Sequence, residues 1–109
     1  MKKGEIWLVE LPFSNSHEQA GLRPALILAD IAITNISIVI PFTTNLQALR
    51  FPHTIEVKPN ITNGLSAISV ALAFHARAID KKRLKHKIGE AEAGIMESVD
   101  KILKQLLAL

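Results

Sequence analysis

Hydrophobic and polar residues alternate along the first two thirds of the chain in short runs of strand length. Apolar and β-branched segments are separated by turn residues, and the 3.6-residue period of a helix is missing here. The predicted strands run from Gly4 to Leu11, Pro24 to Ala29, Ile36 to Phe42, Thr54 to Val57 and Ser69 to Ile79. The run from Pro24 to Ala29 is apolar throughout, which predicts a strand that is covered on both faces.

The last part of the chain changes to a helical period. Apolar residues recur there at intervals of three and four, at Ile95, Val99, Ile102, Leu106 and Leu109, and Met96, Leu103 and Leu107 widen the stripe. This spacing predicts an amphipathic C-terminal helix. Strands followed by one helix indicate an α+β fold, with a small antiparallel, barrel-like sheet and the helix packed on it. We find no repeat or linker, so one domain over residues 1–109 is expected.

Composition narrows the possible functions. The chain has no Cys, which excludes disulfides, thiolate metal sites and cysteine nucleophiles and fits a reducing, cytoplasmic location. Aromatic residues make up only 5% of the chain, which argues against an aromatic platform for stacking bases. No stretch approaches the roughly 18 to 20 apolar residues that a membrane span requires. The net charge of +3 fits attraction to a polyanion or to an acidic protein segment.

The segment between the first two strands is the first candidate for chemistry. The loop from Pro12 to Leu22 contains His17 and Glu18, and long loops held by a rigid sheet are often functional. Arg23 stands directly before Pro24, whose ring favours an extended arginine backbone and so directs the guanidinium. An ordinary solvated loop with a surface arginine explains the same residues, and these alternatives stay open on chemistry alone.

Two further groups of polar residues have competing explanations. Thr43 and Thr44 follow a buried strand, where hydroxyls are also common in local turns. The segment from Lys81 to Lys87 is the most basic part of the chain, so Lys81 and Lys82 are candidates for contacts with phosphates. A solvated turn before the helix explains this segment equally well. The four His residues lack the spacing of an HExxH-like motif, so no metal site and no cofactor are expected.

Several ordered blocks of this sequence resemble the MazF/PemK toxin family. The blocks are Gly4–Val9, His17–Leu28, Ile40–Thr44, Arg77–Leu84 and Ile88–Gly89. In order and spacing they match the family's opening signature, its apolar-Pro-apolar-Thr-Thr/Ser segment and its late strand-turn segment. The resemblance therefore extends over nearly the whole chain.

The resemblance implies a small SH3-like β-barrel of the CcdB/PemK kind, with a C-terminal helix, that forms a homodimer. Such proteins cut single-stranded RNA without a metal and are silenced by a cognate antitoxin. The 2′-hydroxyl of the RNA attacks the adjacent phosphate, leaving a 2′,3′-cyclic phosphate and a 5′-hydroxyl. Arg23 matches the group that stabilises charge on the phosphate, and Thr43 and then Thr44 match its hydroxyl donor. The matching segments also supply Gln19, His75 and Arg77 as candidates for RNA contact.

The group that transfers protons is less directly implied. Some family members carry Arg and Asp in the strand before the Arg-x-Ile-Asp block, and the matching positions here are Leu72 and Phe74. Neither can act as an acid or a base, so His17 and Glu18 become the candidates. His75 stands where the family often has Gln, which favours contact with RNA or backbone over catalysis.

Two other functions remain compatible with these residues. A non-enzymatic toxin of the same fold could act by binding a protein, as CcdB acts on DNA gyrase, or an attenuated nuclease could bind only its antitoxin. A plain nucleic-acid-binding barrel would bind RNA without turnover. Retention of Arg23 and Thr43 favours the nuclease, whereas Leu72 and Phe74 keep the binding alternatives open.

Overall fold

Seven antiparallel strands and one C-terminal helix make up the part of the chain that the structure describes. The structure is a computed structural model that describes residues 1–11 and 21–109. The elements are β1 Glu5–Leu11, β2 Gly21–Ile31, β3 Ile36–Thr43, β4 Thr54–Val57, β5 Ser69–Leu72, β6 Arg77–Asp80, β7 Leu84–Glu90 and α1 Ala93–Leu107. Short 3-10 turns cover Leu46–Arg50, Ala73–His75 and Lys81–Arg83. The predicted α+β class is confirmed.

The strands follow the order β4-β5-β3-β2-β1-β7, and β6 also pairs with β3. The two end strands of this order, β4 and β7, do not pair with each other in the described residues. Strand pairing therefore does not close the barrel. The gap is bridged instead by the loop after β4, because the amide of Glu90 donates to the carbonyl of Thr62. Gly64 lies in this loop with φ +69°, and a Cβ there would lie 1.9 Å from the Ile88 carbonyl oxygen. The loop can therefore approach β7 only with glycine at this position.

The region predicted as one strand from Ser69 to Ile79 is two strands in the structure. β5 pairs with the end of β3 and β6 with its start, and the 3-10 turn Ala73–His75 separates them. The amide of Ala73 still donates to the carbonyl of His53, next to the last β4–β5 pair, and the amide of Ala76 then donates to the carbonyl of Ala73, which closes the turn. The prediction of one continuous strand is therefore wrong.

The basic segment from Lys81 to Lys87 is a turn in its first part only, although a solvated turn was one explanation for the whole segment. Lys81–Arg83 form a 3-10 turn, but β7 starts at Leu84 and pairs with β1 along its length. Two register shifts in this pairing disturb the alternation of side chains. Such bulges, and the run Lys85-His86-Lys87, hide the period of two from which a strand is predicted.

The sheet is covered on both faces, as predicted for the second strand. Consecutive residues Ala25, Leu26 and Ile27 are all fully buried. Leu26 belongs to the apolar cluster that packs under α1 around Val99, whereas Ala25 and Ile27 belong to a second cluster on the other face. Burial of a Leu or Ile side chain contributes about 1.5–3 kcal/mol, so both clusters stabilise the sheet.

Helix α1 covers the first of these clusters. Val99 is fully buried, and Ile95, Met96, Ile102 and Leu103 pack around it as partly buried residues. The helix ends at Leu107, before Ala108 adopts a left-handed conformation with φ 57°, so the predicted stripe does not continue to Leu109. None of the helices in the described residues is long and apolar enough to cross a membrane.

Candidate active site

Arg23 and Thr43 lie at the adjacent ends of two neighbouring strands. The pairing of β2 with β3 places Ala25 opposite Pro41, and Arg23 and Thr43 are each two residues beyond this pair. Arg23 is also paired with Val9 of β1, and its side chain is half-buried. The backbone of Arg23 is therefore fixed by β1 on one side and by the proline that follows it.

Both side chains lie on the same face of the sheet. Side chains in a strand alternate between faces, so Arg23 shares the face of Ala25, and Thr43 shares the face of Val39. Ala25 and Val39 belong to one apolar cluster, which identifies that face. A cation and a hydroxyl are thus presented side by side at one end of the sheet.

The hydroxyl of Thr43 is held in a turn that leaves its proton available. Thr43 is 9% exposed, and its Oγ1 accepts a hydrogen bond of 3.2 Å from the amide of Asn45. Because Oγ1 acts as the acceptor in this bond, its own hydrogen can be donated to an anionic oxygen. Thr44 is exposed beside it and does not line the cavity described below, so Thr43 is the better placed of the two.

A cavity of about 340 Å³ opens next to Thr43. Its described lining consists of Thr43, Asn45, Gln47, Ala48, Arg50, Phe51, Leu72, Phe74 and His75. The 3-10 turn after β5 brings His75 to this lining, so two of the predicted site residues, Thr43 and His75, meet here. This volume is at the lower end of the range for small-ligand pockets, which suits a group the size of one base.

Leu72 and Phe74 form part of the cavity wall. Leu72 is buried and Phe74 is 39% exposed, so the wall at these two positions is apolar. Phe51 and Arg50 also line the cavity, and sequence reasoning missed both. No local pattern marks them, because they are brought to the site by the turn Leu46–Arg50 and not by a strand.

Arg77 adds a second arginine to this face. It is paired with Val39, and it lies two residues before Ile79, which belongs to the same cluster as Val39. Its side chain is half-buried. Arg77 therefore shares the sheet face of Arg23 and Thr43, where a positive charge can contact RNA.

The basic segment after β6 lies elsewhere, and much of its charge is already paired. Lys81 forms an ion pair with Asp30, near the opposite end of β2 from Arg23, which at the rise of a strand is about 23 Å away. Arg83 pairs with Glu10 at 3.5 Å, and Lys87 pairs with Glu5 at 3.3 Å. Lys82 is exposed. The structure thus does not bring Lys81 together with Arg23 and Thr43.

His17, Glu18 and Gln19 lie outside the described residues. The residues that flank their segment are described, and Leu11 is paired with Gly21 two residues from Arg23. Within residues 1–11 and 21–109, no cluster of three His, Asp or Glu side chains could hold a metal ion. The roles of the three loop residues stay predictions.

Glu5 is the one titratable group in the described chain with a clearly shifted pKa. The indole of Trp7 donates a hydrogen bond of 2.9 Å to its carboxylate, and the Lys87 ammonium lies 3.3 Å away. The Trp7 hydrogen bond and the charge of Lys87 lower the pKa of Glu5 from its ordinary 4.5, although burial acts in the opposite direction. This shift is a property of the β1–β7 pairing and belongs to the stability of the fold.

Comparison with known proteins identifies the group to which this arrangement belongs. The chain is 32% identical to endoribonuclease EndoA of Bacillus subtilis (strain 168) over 112 residues, covering 100% of this chain and 96% of that protein. The structure matches crystal structures of Deinococcus radiodurans MazF (TM-score 0.81, 27% identity, 100% and 97% of the two chains) and of its MazE-MazF complex (0.74, 28%, 100% and 96%). A family profile described as "PemK-like, MazF-like toxin of type II toxin-antitoxin system" matches residues 2–107. The chain therefore belongs to the PemK-like, MazF-like toxin family.

Proposed function

We propose that this chain is the toxin of a toxin–antitoxin pair and that it acts as an endoribonuclease on single-stranded RNA. The proposal is carried by one observation, the pairing that places Arg23 and Thr43 at adjacent strand ends on one face. The resemblance of both residues to the family's phosphate-binding groups and the similarity to an endoribonuclease support it.

The side chains of this protein and the 2′-hydroxyl of the RNA supply every group that the proposed reaction needs. The 2′-hydroxyl of the RNA attacks the adjacent phosphorus, and the bond from phosphorus to the 5′-oxygen breaks. The products are a 2′,3′-cyclic phosphate and a 5′-hydroxyl. Arg23 would stabilise the charge on the phosphoryl oxygens, because guanidinium stays ionised and offers a fork of donors, and Thr43 would donate one further hydrogen bond.

Two protons must move in this reaction, one from the attacking hydroxyl and one to the leaving oxygen. Leu72 and Phe74 cannot transfer either, so we assign the transfer to His17 or Glu18 of the loop that precedes Arg23. Gln19, His75 and Arg77 are assigned to RNA contact, together with Thr44 and, at the periphery, Lys82. Lys81 is the weakest member of this set because its ammonium already pairs with Asp30.

The proposed partners follow from the family. We propose a homodimer that binds single-stranded RNA and is silenced by a cognate antitoxin, since one of the matched structures is a MazE-MazF complex. The cytoplasmic location stays a prediction, in keeping with an RNA substrate.

Cleavage in the presence of a chelator tests the proposed activity. Because the assigned groups are protein side chains and the 2′-hydroxyl itself, we expect the purified protein to cut single-stranded RNA in EDTA. The fragments should carry 2′,3′-cyclic phosphate and 5′-hydroxyl ends, and RNA with 2′-O-methyl groups should resist cleavage. Activity that is lost in EDTA and restored by magnesium would contradict the mechanism.

A protein-binding toxin is the second candidate, because the apolar wall at Leu72 and Phe74 lacks the titratable groups that some nucleases of the family carry. This candidate predicts growth inhibition with no RNA cleavage under any ionic condition. A nucleic-acid-binding barrel predicts RNA binding with no cleavage and no toxicity. The same incubation with RNA, combined with expression of the protein in growing cells, separates the three functions.

A further inference from the structure

Two exposed phenylalanines meet at the rim of the cavity. Phe51 is 50% exposed and Phe74 is 39% exposed, although most apolar rings of this size are removed from water. Their ring centroids lie 6.1 Å apart and the ring planes make an angle of 73°, which is an edge-to-face contact. We call these two rings, with the side chains packed on them, the Phe51–Phe74 platform.

A histidine and an arginine extend the platform on its two sides. The imidazole of His75 lies 4.7 Å from the Phe74 ring, centroid to centroid, at an angle of 44°. The guanidinium carbon of Arg50 lies 5.7 Å from the centroid of Phe51, within the range of a cation–π interaction. The result is a row of four neighbouring flat groups, set at angles to one another, with a positive charge at one end.

The backbone fixes the two rings relative to each other. The carbonyl of His53, two residues after Phe51, accepts a 3.1 Å hydrogen bond from the amide of Ala73, which directly precedes Phe74. His53 adopts this position with φ 61°, in the left-handed region that residues other than glycine rarely occupy. The backbone therefore ties together the two segments that carry the rings.

The side chains that line the cavity indicate which class of ligand fits it. Flat exposed rings and guanidinium groups stack on unpaired nucleobases, and they do so with bases of any sequence. Asn45 and Gln47 line the same cavity. The side-chain oxygen of Asn45 accepts a 3.1 Å hydrogen bond from the backbone amide of Gln47, so the NH₂ group of Asn45 and the side-chain amide of Gln47 are the groups that can hydrogen-bond to the edge of a base. Thr43 stands in the same lining. A base bound here would lie next to the hydroxyl to which a role on the phosphate is assigned.

We infer that the Phe51–Phe74 platform holds one unpaired nucleobase of the substrate beside the scissile phosphate, which makes Phe51 and Phe74 determinants of RNA binding. The inference rests on the proposed function, which supplies single-stranded RNA as the ligand. Phe74 stands where some family members have a charged residue, so at this position the chain has a stacking surface in place of a titratable group. The sequence argument against aromatic stacking overlooked that a few aromatics can gather at one place.

Binding to an RNA that cannot be cleaved tests the inference separately from the proposed activity. Short 2′-O-methyl oligonucleotides are titrated with wild type and with Phe74→Leu and Phe51→Leu, each in the full-length protein, by fluorescence anisotropy. We expect each leucine variant to weaken binding by about 5- to 150-fold, since a stacked base contributes that much. Phe74→Tyr keeps the aromatic face and should bind like wild type. Ile33→Ala is the matched control, because Ile33 is 96% exposed and lies outside the platform.

An abasic scan identifies the base that is stacked. Removing the base at one position of the oligonucleotide should weaken binding to wild type, and the same removal should have little effect on binding to Phe74→Leu. The slope of log Kd against log salt should be the same in wild type and in both leucine variants, because stacking neutralises no phosphate.

Equal affinities of wild type and both leucine variants would overturn the inference, and so would abasic effects that persist unchanged in Phe74→Leu. Variants that bind RNA normally but lose a protein partner would show that the platform binds an apolar side chain, which also overturns it. If wild type binds RNA through the platform but does not cut it, the proposed activity is contradicted, whereas the inference about the platform is supported.

Discussion

At the scale of single residues, the position of Arg23 follows from its two neighbours in the fold. Pro24 favours an extended backbone at Arg23, and the pairing with Val9 holds the same residue against β1. A long, flexible side chain is thereby anchored at its base, so that less conformational entropy is lost when it binds a phosphate. Preorganisation of this kind is the main source of electrostatic stabilisation in active sites.

Substitution of Arg23 is expected to be the most damaging change that leaves the fold intact. Arg23→Ala should lower the cleavage rate by about 10²- to 10³-fold, because a preorganised charge beside the developing phosphorane is lost. Arg23→Lys should be nearly as inactive, since an ammonium cannot make the planar contact with two oxygens. Single-turnover cleavage of RNA, with circular dichroism and Tm as checks of folding, measures both effects.

Thr43→Val is the matched comparison for these variants, because it removes one neutral donor and keeps the shape of the side chain. It should therefore reduce the rate less than either change at Arg23. A folded Arg23→Ala protein that cleaves at the wild-type rate would place the active site elsewhere.

At the scale of elements, β1 and β7 are joined by a buried carboxylate as well as by backbone pairing. Glu5 is 8% exposed, and it accepts from the indole of Trp7 on its own strand while pairing with Lys87 on β7. Trp7 and Lys87 are themselves opposite each other in the strand register. The ionised form of Glu5 is favoured by both contacts, so its ionisation contributes to the stability of the fold.

The pKa of Glu5 predicts how stability changes with pH. Because the folded state lowers this pKa below the ordinary 4.5, the ionised carboxylate stabilises the protein fully above that value. The contribution is lost as the pH falls below 4.5 and through the folded-state pKa. Glu5→Gln should be less stable than wild type by about 1 kcal/mol at neutral pH. Urea unfolding of both proteins should show this difference shrinking as the pH is lowered, and a difference that is constant between neutral and acidic pH would contradict the assignment.

An element can be predicted from the sequence when its apolar residues follow one regular spacing along the whole element. The first three strands and β4 are found close to their predicted positions, because apolar alternation or a continuous apolar run marks each of them. The interruption at Ala73–His75 was missed, since this segment contains none of the Gly, Pro, Asn or Asp residues that mark a turn. β7 was missed because its charged residues do not alternate with apolar ones. Its position is set by pairing with β1, which contains two register shifts.

At the scale of the whole molecule, the candidate site joins parts that are far apart in sequence. Arg23 and Thr43 could be predicted from the family's ordered blocks, and strand pairing then brings them together. Phe51 and Phe74 match no motif, and their contact depends on how the turn after β3 meets the turn after β5. The candidate residues Arg23 and Thr43 could therefore be chosen from the sequence and their roles stay predictions, whereas the cavity beside Thr43 required the folded structure.

The distribution of exposed apolar residues bears on the oligomeric state. Leu46 is 46% exposed and Leu49 is 38% exposed, and both lie in the turn that leads to Phe51. Apolar residues that are exposed together, and not singly, are typical of surfaces that bind a partner. This cluster lies beside the candidate site and adds a physical reason for the homodimer that the family implies.

We therefore expect a homodimer at micromolar concentration. In sedimentation velocity the protein should have about twice the mass of one chain, and its Tm should rise with protein concentration, because dissociation accompanies unfolding of a dimer. Leu49→Lys should shift the equilibrium towards monomer if the turn Leu46–Arg50 contributes to the interface, since a buried unpaired charge is unfavourable. Ile61→Lys is the control, because Ile61 is fully exposed and lies in a different loop, after β4. A monomer in sedimentation, with a Tm that does not depend on concentration, would contradict the homodimer, and the exposed leucines would then need another partner.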